Sequence, residues 1–373
     1  MRPVFSVVMP TYGVEKYIEK AIRSVQAQTF ENWELLVIDD CTCDQSAEIA
    51  CEIAKTDSRI RIVHHEINQG LSAARNTGIQ EAVGEYIWFM DPDDWVEPEL
   101  MQAVAASLEK NRAEMVLFGL QEEYYAPDGH LQYSHPISPT EQYFTTQETL
   151  RKEFIRLEQQ TLYGYAWNKF YNLDYLRSQN LWYTDVKLIE DIKFNVEYCM
   201  NIQRMNLLAI TPYHYAKRVE MNLTNKFVEN YYELHEWRIA MILNQYRSWK
   251  LDNENVRAIL GGLYGRYILS ALQRNCSKEA NMSYRMRKKW CRNLFERPLF
   301  RELIPGAKAK DSFSLKIALR CLKWKQVGLC LVLGRGIYLV REKDAGTLLQ
   351  SQGRKVKNDD TIKAIRRERR IDL

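Results

Sequence analysis

The sequence has no Gly-x-Gly-x-x-Gly turn and no Gly-Lys-Ser/Thr loop. Their absence excludes a Rossmann dinucleotide turn and a P-loop, so any phosphate must be neutralised by another device. No signal peptide is legible at the amino end, because Phe5-Ser6-Val7-Val8-Met9 is too short for an h-region and runs into Pro10. The expected location is cytoplasmic. The eight cysteines show no paired zinc spacing, and a cytosolic chain of this size needs no disulfide framework. They read as free thiols, with Cys41-Thr42-Cys43 in a turn. The most apolar late stretch, Val327 to Val340, is interrupted by Gly328, Gly334, Arg335 and Gly336. It falls short of the about 20 residues that a membrane span requires.

The 373 residues leave room for a catalytic core of roughly 200 to 250 residues and an appended region. The net charge of +4 hides an asymmetry. Residues 285–341 carry fifteen Lys or Arg against three acids and residues 342–373 nine against six, leaving the first 284 at −11.

Phe5 to Met9 reads as a buried strand, followed by a helical stripe from Val14 to Gln28 through Ile18, Ala21, Ile22 and Val25. Trp33 to Ile38 is a second strand, after which Asp44 offers an N-cap to a helix through Ile49 and Ile53. A third strand, Ile60 to Val63, leads through Asn68-Gln69-Gly70 into a helix from Leu71 to Val83. A fourth strand stops at Asp91-Pro92-Asp93-Asp94, and a helix near Glu97 to Asn111 precedes the strand Met115 to Phe118. This alternation predicts βαβ units and a mostly parallel sheet, with ligands beyond the carboxyl ends of its strands. Gln121 to Thr149 reads as a surface excursion or hairpin.

Three carboxylates within four residues on one turn repel one another unless a cation lies between them. Oxygen ligands of this kind suit Mg²⁺ or Mn²⁺, although Asp93 or Asp94 could instead cap the next helix. Tyr163 to Tyr171 is an aromatic stretch that includes Trp167 and Lys169, and its rings suit either sugar stacking or core packing. Glu190 and Asp191 open a helix off its apolar stripe, as partners of the helix dipole or as a general base. His214 follows that helix and either closes over a metal or diphosphate or packs among its tyrosines.

Ser6-Val7-Val8-Met9-Pro10-Thr11-Tyr12, Ser24 to Phe30, Leu36-Val37-Ile38-Asp39-Asp40, Gly70 to Gly78 and Gly84 to Asp94 together resemble glycosyltransferase family 2. This is a family of inverting GT-A enzymes common in bacterial capsule and cell-surface polysaccharide synthesis. Beyond residue 100 the match thins to Trp167-Asn168-Lys169 and Glu190-Asp191. The resemblance implies a GT-A catalytic domain over residues 1–225, with a nucleotide-sugar half to about residue 120 and an acceptor half after it, then a helical basic region over 226–373. It implies that Pro10 and Tyr12 line a uridine pocket, with Thr11 on the same donor side. Asp40 would accept from the uracil N–H with support from Asp39, and Arg75 would lie near the diphosphate. Asp93 would ligate Mn²⁺ or Mg²⁺, with Asp91 and Asp94 holding ribose, sugar hydroxyls or metal-bound water. Asp191 would be the base, with Glu190 beside it, and Trp167 and Lys169 would meet the acceptor. Gly13 stands where the family usually has Asn, and Cys41-Thr42-Cys43-Asp44 replaces its Gly-Ser-x-Asp.

The implied partners are a UDP-sugar and a glycan or lipid-linked acceptor. A nucleotidyltransferase would need a glycine- and arginine-rich triphosphate loop near the first strand, where Pro10-Thr11-Tyr12-Gly13 has none. A non-catalytic nucleotide-sugar binder or assembly scaffold is the rival of another class. The basic, aromatic stretch from Tyr284 reads as a region lying on the inner face of the cell membrane or as a helical appendage, and no nucleic-acid reading module accompanies its charge. Lys363 to Arg370 reads as a charged, frayed helix.

Overall fold

The computed structural model describes residues 2–126, 128–186, 188–218, 227–309 and 313–351. The segment Lys363 to Arg370 lies outside them. The chain divides into two compact units, Met1–Asn225 and Lys226–Leu373.

In the first unit β1 (Phe5–Thr11) is buried at every position, as a strand covered on both faces must be. It pairs in parallel with β2 (Trp33–Asp39) and with β4 (Tyr86–Phe89), and β2 pairs in parallel with β3 (Ile60–His64). Helices α1 (Ile18–Gln26), α2 (Ser46–Ala54) and α3 (Leu71–Glu81) form the crossovers. The expected stripe of α1 is the buried one: Ile18, Ala21, Ile22 and Val25. Register places Thr11 beside Asp39 and Asp39 beside His64, so Tyr12, Asp40 and His65 all emerge on one edge.

Beyond β4 the sheet becomes mixed. The short β5 (Trp95–Val96) and α4 (Leu100–Lys110) lead to β6 (Met115–Tyr125), which runs seven residues past the expected Phe118 and pairs with β7 (Leu131–Ile137) as a hairpin. The expected excursion after Gln121 is therefore largely sheet. After β8 (Gln142–Phe144) and α5 (Gln147–Gln159), the aromatic stretch supplies β9 (Lys169–Asn172), antiparallel to both β4 and β6. Then follow α6 (Leu173–Ser178), α7 (Glu190–Tyr198) and β10 (Met205–Arg218). The strand order is β3-β2-β1-β4-β9-β6-β10-β5, with β7 on β6 and β8 on β10.

β10 runs parallel to β6 with a break in register between Leu208 and Tyr213. Gly119 faces that break, where a Cβ would sit 2.3 Å from the Ile137 carbonyl oxygen and 2.8 Å from that of Ile210. Only glycine admits the bulge, and the bulge brings Tyr213 and its successors to the acid turn.

The second unit is helical: α8 (Tyr231–Ser248), α9 (Glu254–Arg274), α10 (Tyr284–Glu296), α11 (Pro298–Leu303), α12 (Phe313–Lys323) and α13 (Val327–Ser351). Asn253 caps α9 by accepting from the Val256 N–H. Small residues set the packing: a Cβ on Gly262 would sit 2.2 Å from the Lys308 carbonyl oxygen, and one on Gly334 2.7 Å from that of Leu272. The stretch Val327 to Val340 is thus part of one helix, laid against α9 at Gly334 and against Cys291 of α10 at Cys330.

Candidate active site

The donor edge is built by loops that bind one another. Asp44 lies before α2 and accepts from the Ser46 N–H and hydroxyl, the Thr42 hydroxyl and the Glu15 N–H. Burial alone would raise its carboxyl, but these donors prevail and hold it at about 2. Thr42 in turn accepts from the Gly13 N–H at 2.9 Å. Gly13 has φ +69°, a left-handed conformation that glycine takes freely and asparagine tolerates, so the departure from Asn leaves the turn intact. Cys41 has φ +57° without that freedom.

Asp39 accepts from the Thr42 N–H at 2.9 Å and meets His64 Nδ1 at 2.8 Å. Asp40 accepts from the Gln69 and Gly70 N–H groups at 2.8 and 2.7 Å and meets His65 Nδ1 at 2.7 Å, while His65 Nε2 lies 2.8 Å from the Thr77 hydroxyl. The Asp40 carboxylate therefore fastens the β3–α3 loop and is buried. Pro10 and Thr11 are buried in β1, whereas the Tyr12 side chain is 54% exposed and offers an open ring.

The acid turn after β4 separates its members. Asp94 is buried and accepts from the Tyr213 hydroxyl and the Ala216 N–H, both at 2.8 Å. It ties β10 to the turn. Asp93 pairs with Arg218, which lies 3.4 Å from its carboxylate and donates to its carbonyl oxygen at 2.9 Å. Arg75 is buried between Asp91 and Asp191 and donates to both. Asp191, at the start of α7, also accepts from the Ala166 N–H at 3.2 Å. Asp91, Arg75, Asp191 and its neighbour Glu190 thus share one place.

Burial, reinforced by Asp191, pushes the Glu190 carboxyl up to about 7. Burial pushes Asp91 up to about 7 as well and raises Asp93. Glu190 Oε2, Arg75 Nε and the Tyr183 hydroxyl are buried without a hydrogen-bond partner among the described residues, polar atoms left for a ligand or solvent to satisfy. Among the described residues no three His, Cys, Asp or Glu side chains stand close enough to hold an ion by themselves. An ion that takes one or two carboxylates and completes its shell with phosphate and water needs no such cluster. Two partly buried carboxylates on one turn, Asp91 and Asp93, each with only a long contact to an arginine, fit it.

Lys169, Trp167 and His214 are all engaged by partners within the fold, and for Trp167 the packing alternative holds. Lys169 has no exposed surface, and its ammonium donates to the Leu162 carbonyl oxygen and Asn168 Oδ1 at 2.9 and 2.7 Å. It braces the aromatic stretch from inside. Trp167 is buried between Tyr165 and Tyr213, with ring centroids 4.5 and 4.3 Å away. The half-buried Tyr165 and Tyr215 carry that stack toward solvent. His214 lies between Glu123 and Glu97, at 2.7 and 2.9 Å, with its ring stacked on Trp95 at 3.4 Å. Both its nitrogens are engaged away from the acid turn. Sequence reasoning missed Arg218, Tyr213 and Tyr183, because each joins the site from more than a hundred residues beyond its partner or from an unpatterned loop.

Residues 6–171 match the family model described as glycosyl transferase family 2. The chain is 33% identical over 218 residues to the uncharacterized glycosyltransferase EpsJ of Bacillus subtilis (strain 168), covering 58% of this chain and 62% of that protein's length. It is 26% identical over 249 residues to the poly(ribitol-phosphate) beta-N-acetylglucosaminyltransferase TarS of Staphylococcus aureus (strain MW2), covering 64% of this chain and 40% of TarS. The crystal structure of S. aureus TarS 1-349 in complex with UDP-GlcNAc matches with a TM-score of 0.61 at 21% identity, over 92% of each chain. At that identity the likeness speaks for the fold alone, which is GT-A. With its ordered amino-terminal motifs and its sheet edge of acids, the chain carries a glycosyl transferase family 2 domain over residues 6–171.

Proposed function

We propose that this chain is an inverting glycosyltransferase that moves a sugar from a nucleoside diphosphate, UDP, to a glycan or lipid-linked acceptor in bacterial surface polysaccharide synthesis. The observation that carries this reading is the Arg75 guanidinium, which bonds both Asp91 on the donor side and Asp191 at the head of α7. A donor diphosphate and an acceptor hydroxyl then meet at a single positive charge. The names of its relatives agree, since TarS is a beta-N-acetylglucosaminyltransferase whose structure holds UDP-GlcNAc.

In this reading the open Tyr12 ring stacks on the uracil, beside Asp39. Asp91 and Asp93 would hold Mg²⁺ or Mn²⁺, which when bound supplies positive charge across the two phosphates. Arg75 reaches the same phosphates and steadies Asp191. The acceptor hydroxyl gives its proton to the Asp191 carboxylate as its oxygen bonds to the anomeric carbon. The bond from that carbon to the diphosphate breaks from the opposite face, its electron pair leaving on the phosphate oxygen, so the centre inverts. Tyr165 and Tyr215 offer rings to the acceptor, with Trp167 and Lys169 bracing them from below.

Asp191→Asn keeps the shape of the site and removes the base. UDP-GlcNAc turnover, with UDP release as the readout, should fall about 10²–10⁴-fold while calorimetric UDP affinity in Mn²⁺ stays within a few-fold. An unchanged rate would overturn the assignment of the base. UDP binding indifferent to EDTA would remove the ion.

A further inference from the structure

We propose that the outward face of α12 and α13 docks on an anionic lipid surface, so that the second unit is the chain's membrane-binding element. Between residues 313 and 340 the sequence contains no Asp or Glu. α13 packs on α9 at Gly334 and meets Cys291 of α10 through the buried Cys330, which fixes the face it turns outward. That face carries Leu329, Val332, Leu339 and Val340, with Val332 69% and Val340 61% exposed. Their spacing at i, i+3, i+10 and i+11 makes one stripe. A Cβ on Gly328 or Gly336 would meet no neighbour, so among the described residues nothing covers the stripe there.

Trp324 stands at the junction of the two helices, 66% exposed, and an indole of that kind suits the level of lipid headgroups. Around it Lys316, Arg320, Lys323, Lys325 and Arg335 are all exposed. An apolar stripe whose charged neighbours over residues 313–340 are all cations is the pattern of a helix lying in an anionic interface. The same charges argue against a second copy of the chain, because two such faces would bring ten like charges together with no acid between them. The apolar reach from Val327 to Val340 spans roughly 21 Å as helix, short of the roughly 30 Å of a hydrocarbon core. Among the described residues no helix is long and apolar enough to cross a membrane. The element lies on the bilayer, parallel to its plane.

The test is co-sedimentation of the full chain with phosphatidylcholine vesicles, with and without about 30% phosphatidylglycerol. Binding should require the anionic lipid and weaken about 10-fold or more between 0.1 M and 0.5 M salt, roughly the range over which the screening length is halved. Val332→Glu with Leu339→Glu should lower the vesicle affinity at least about 10-fold. The milder pair Val332→Ala with Leu339→Ala should lower it in the same direction, and Lys323→Glu with Lys325→Glu should abolish the lipid preference. Melting temperature and UDP affinity, read on the same preparations, should not move, which separates this outcome from any failure of the transfer reading. Equal binding to neutral vesicles, or binding untouched by either pair at 332 and 339, overturns the proposal. So does self-association without lipid that Val332→Glu abolishes, which would make the face a contact between copies.

Discussion

Cys41 has φ +57°, in the loop that joins β2 to α2, where an L side chain crowds its own carbonyl oxygen. Glycine would remove that cost. Cys41→Gly should stabilise the protein by about 1 kcal/mol, raising the melting temperature by about 2–4 °C in calorimetry. Glu190 gives a second residue-level expectation, with a definite sign. Its folded carboxyl titrates near 7, against an ordinary value of 4.5, because it is buried beside Asp191. Between these values the unfolded chain has lost a proton that the folded chain retains, so stability falls as pH rises through this window. Glu190→Gln removes that dependence. Urea melts should show the variant gaining about 1–3 kcal/mol on the parent at pH 8 and nothing at pH 4, while donor turnover drops. The identity of these residues was legible in the chain. Their strain and their titration were not, since φ at Cys41 and burial at Glu190 are set by neighbours that arrive through folding.

At the scale of elements, the β-strands and helices of the first hundred residues were readable because each carries its own period and its own stop. β4 stops at Phe89, three residues before Pro92, and the buried stripe of α1 is the one its spacing predicts. β9 and β10 were not readable. β9 is four residues of an aromatic run, and β10 contains Pro212 within an irregular register, so neither shows a clean alternation. The glycine that makes β10 possible lies on another strand. Gly119→Ala should force the Ile137 and Ile210 carbonyls apart and cost about 1–3 kcal/mol, read as an earlier midpoint in denaturant titration. Because β10 holds Asp94 and Arg218 at the acid turn, UDP affinity should weaken in the same variant.

At the scale of the molecule, the first unit is closed across its active site by Arg75, which joins elements 116 residues apart in the chain. Removing one partner of a buried ion pair leaves the others without compensation. Arg75→Met should destabilise by about 3–5 kcal/mol, and Asp191→Asn in the same chain should recover part of that loss. Strict additivity of the two in a double-mutant cycle would mean that the bond carries no coupling. The charge asymmetry follows the same division, with acids gathered in the first unit and cations concentrated late in the second.

The order of strand, turn and helix, the acids after the second and fourth strands, and the basic stretch near the end were determined by the sequence alone. Each of these is local, and a period of two or of 3.6 residues, a proline or a run of charge acts within a dozen positions. Only the tertiary structure decided which acid faces the ligand. Asp93 stays at the site while Asp94 turns inward, because Tyr213 and Ala216 come to meet Asp94 from a strand more than a hundred residues later. A carboxylate's role depends on the donors around it, and those donors are assembled by packing rather than by order along the chain.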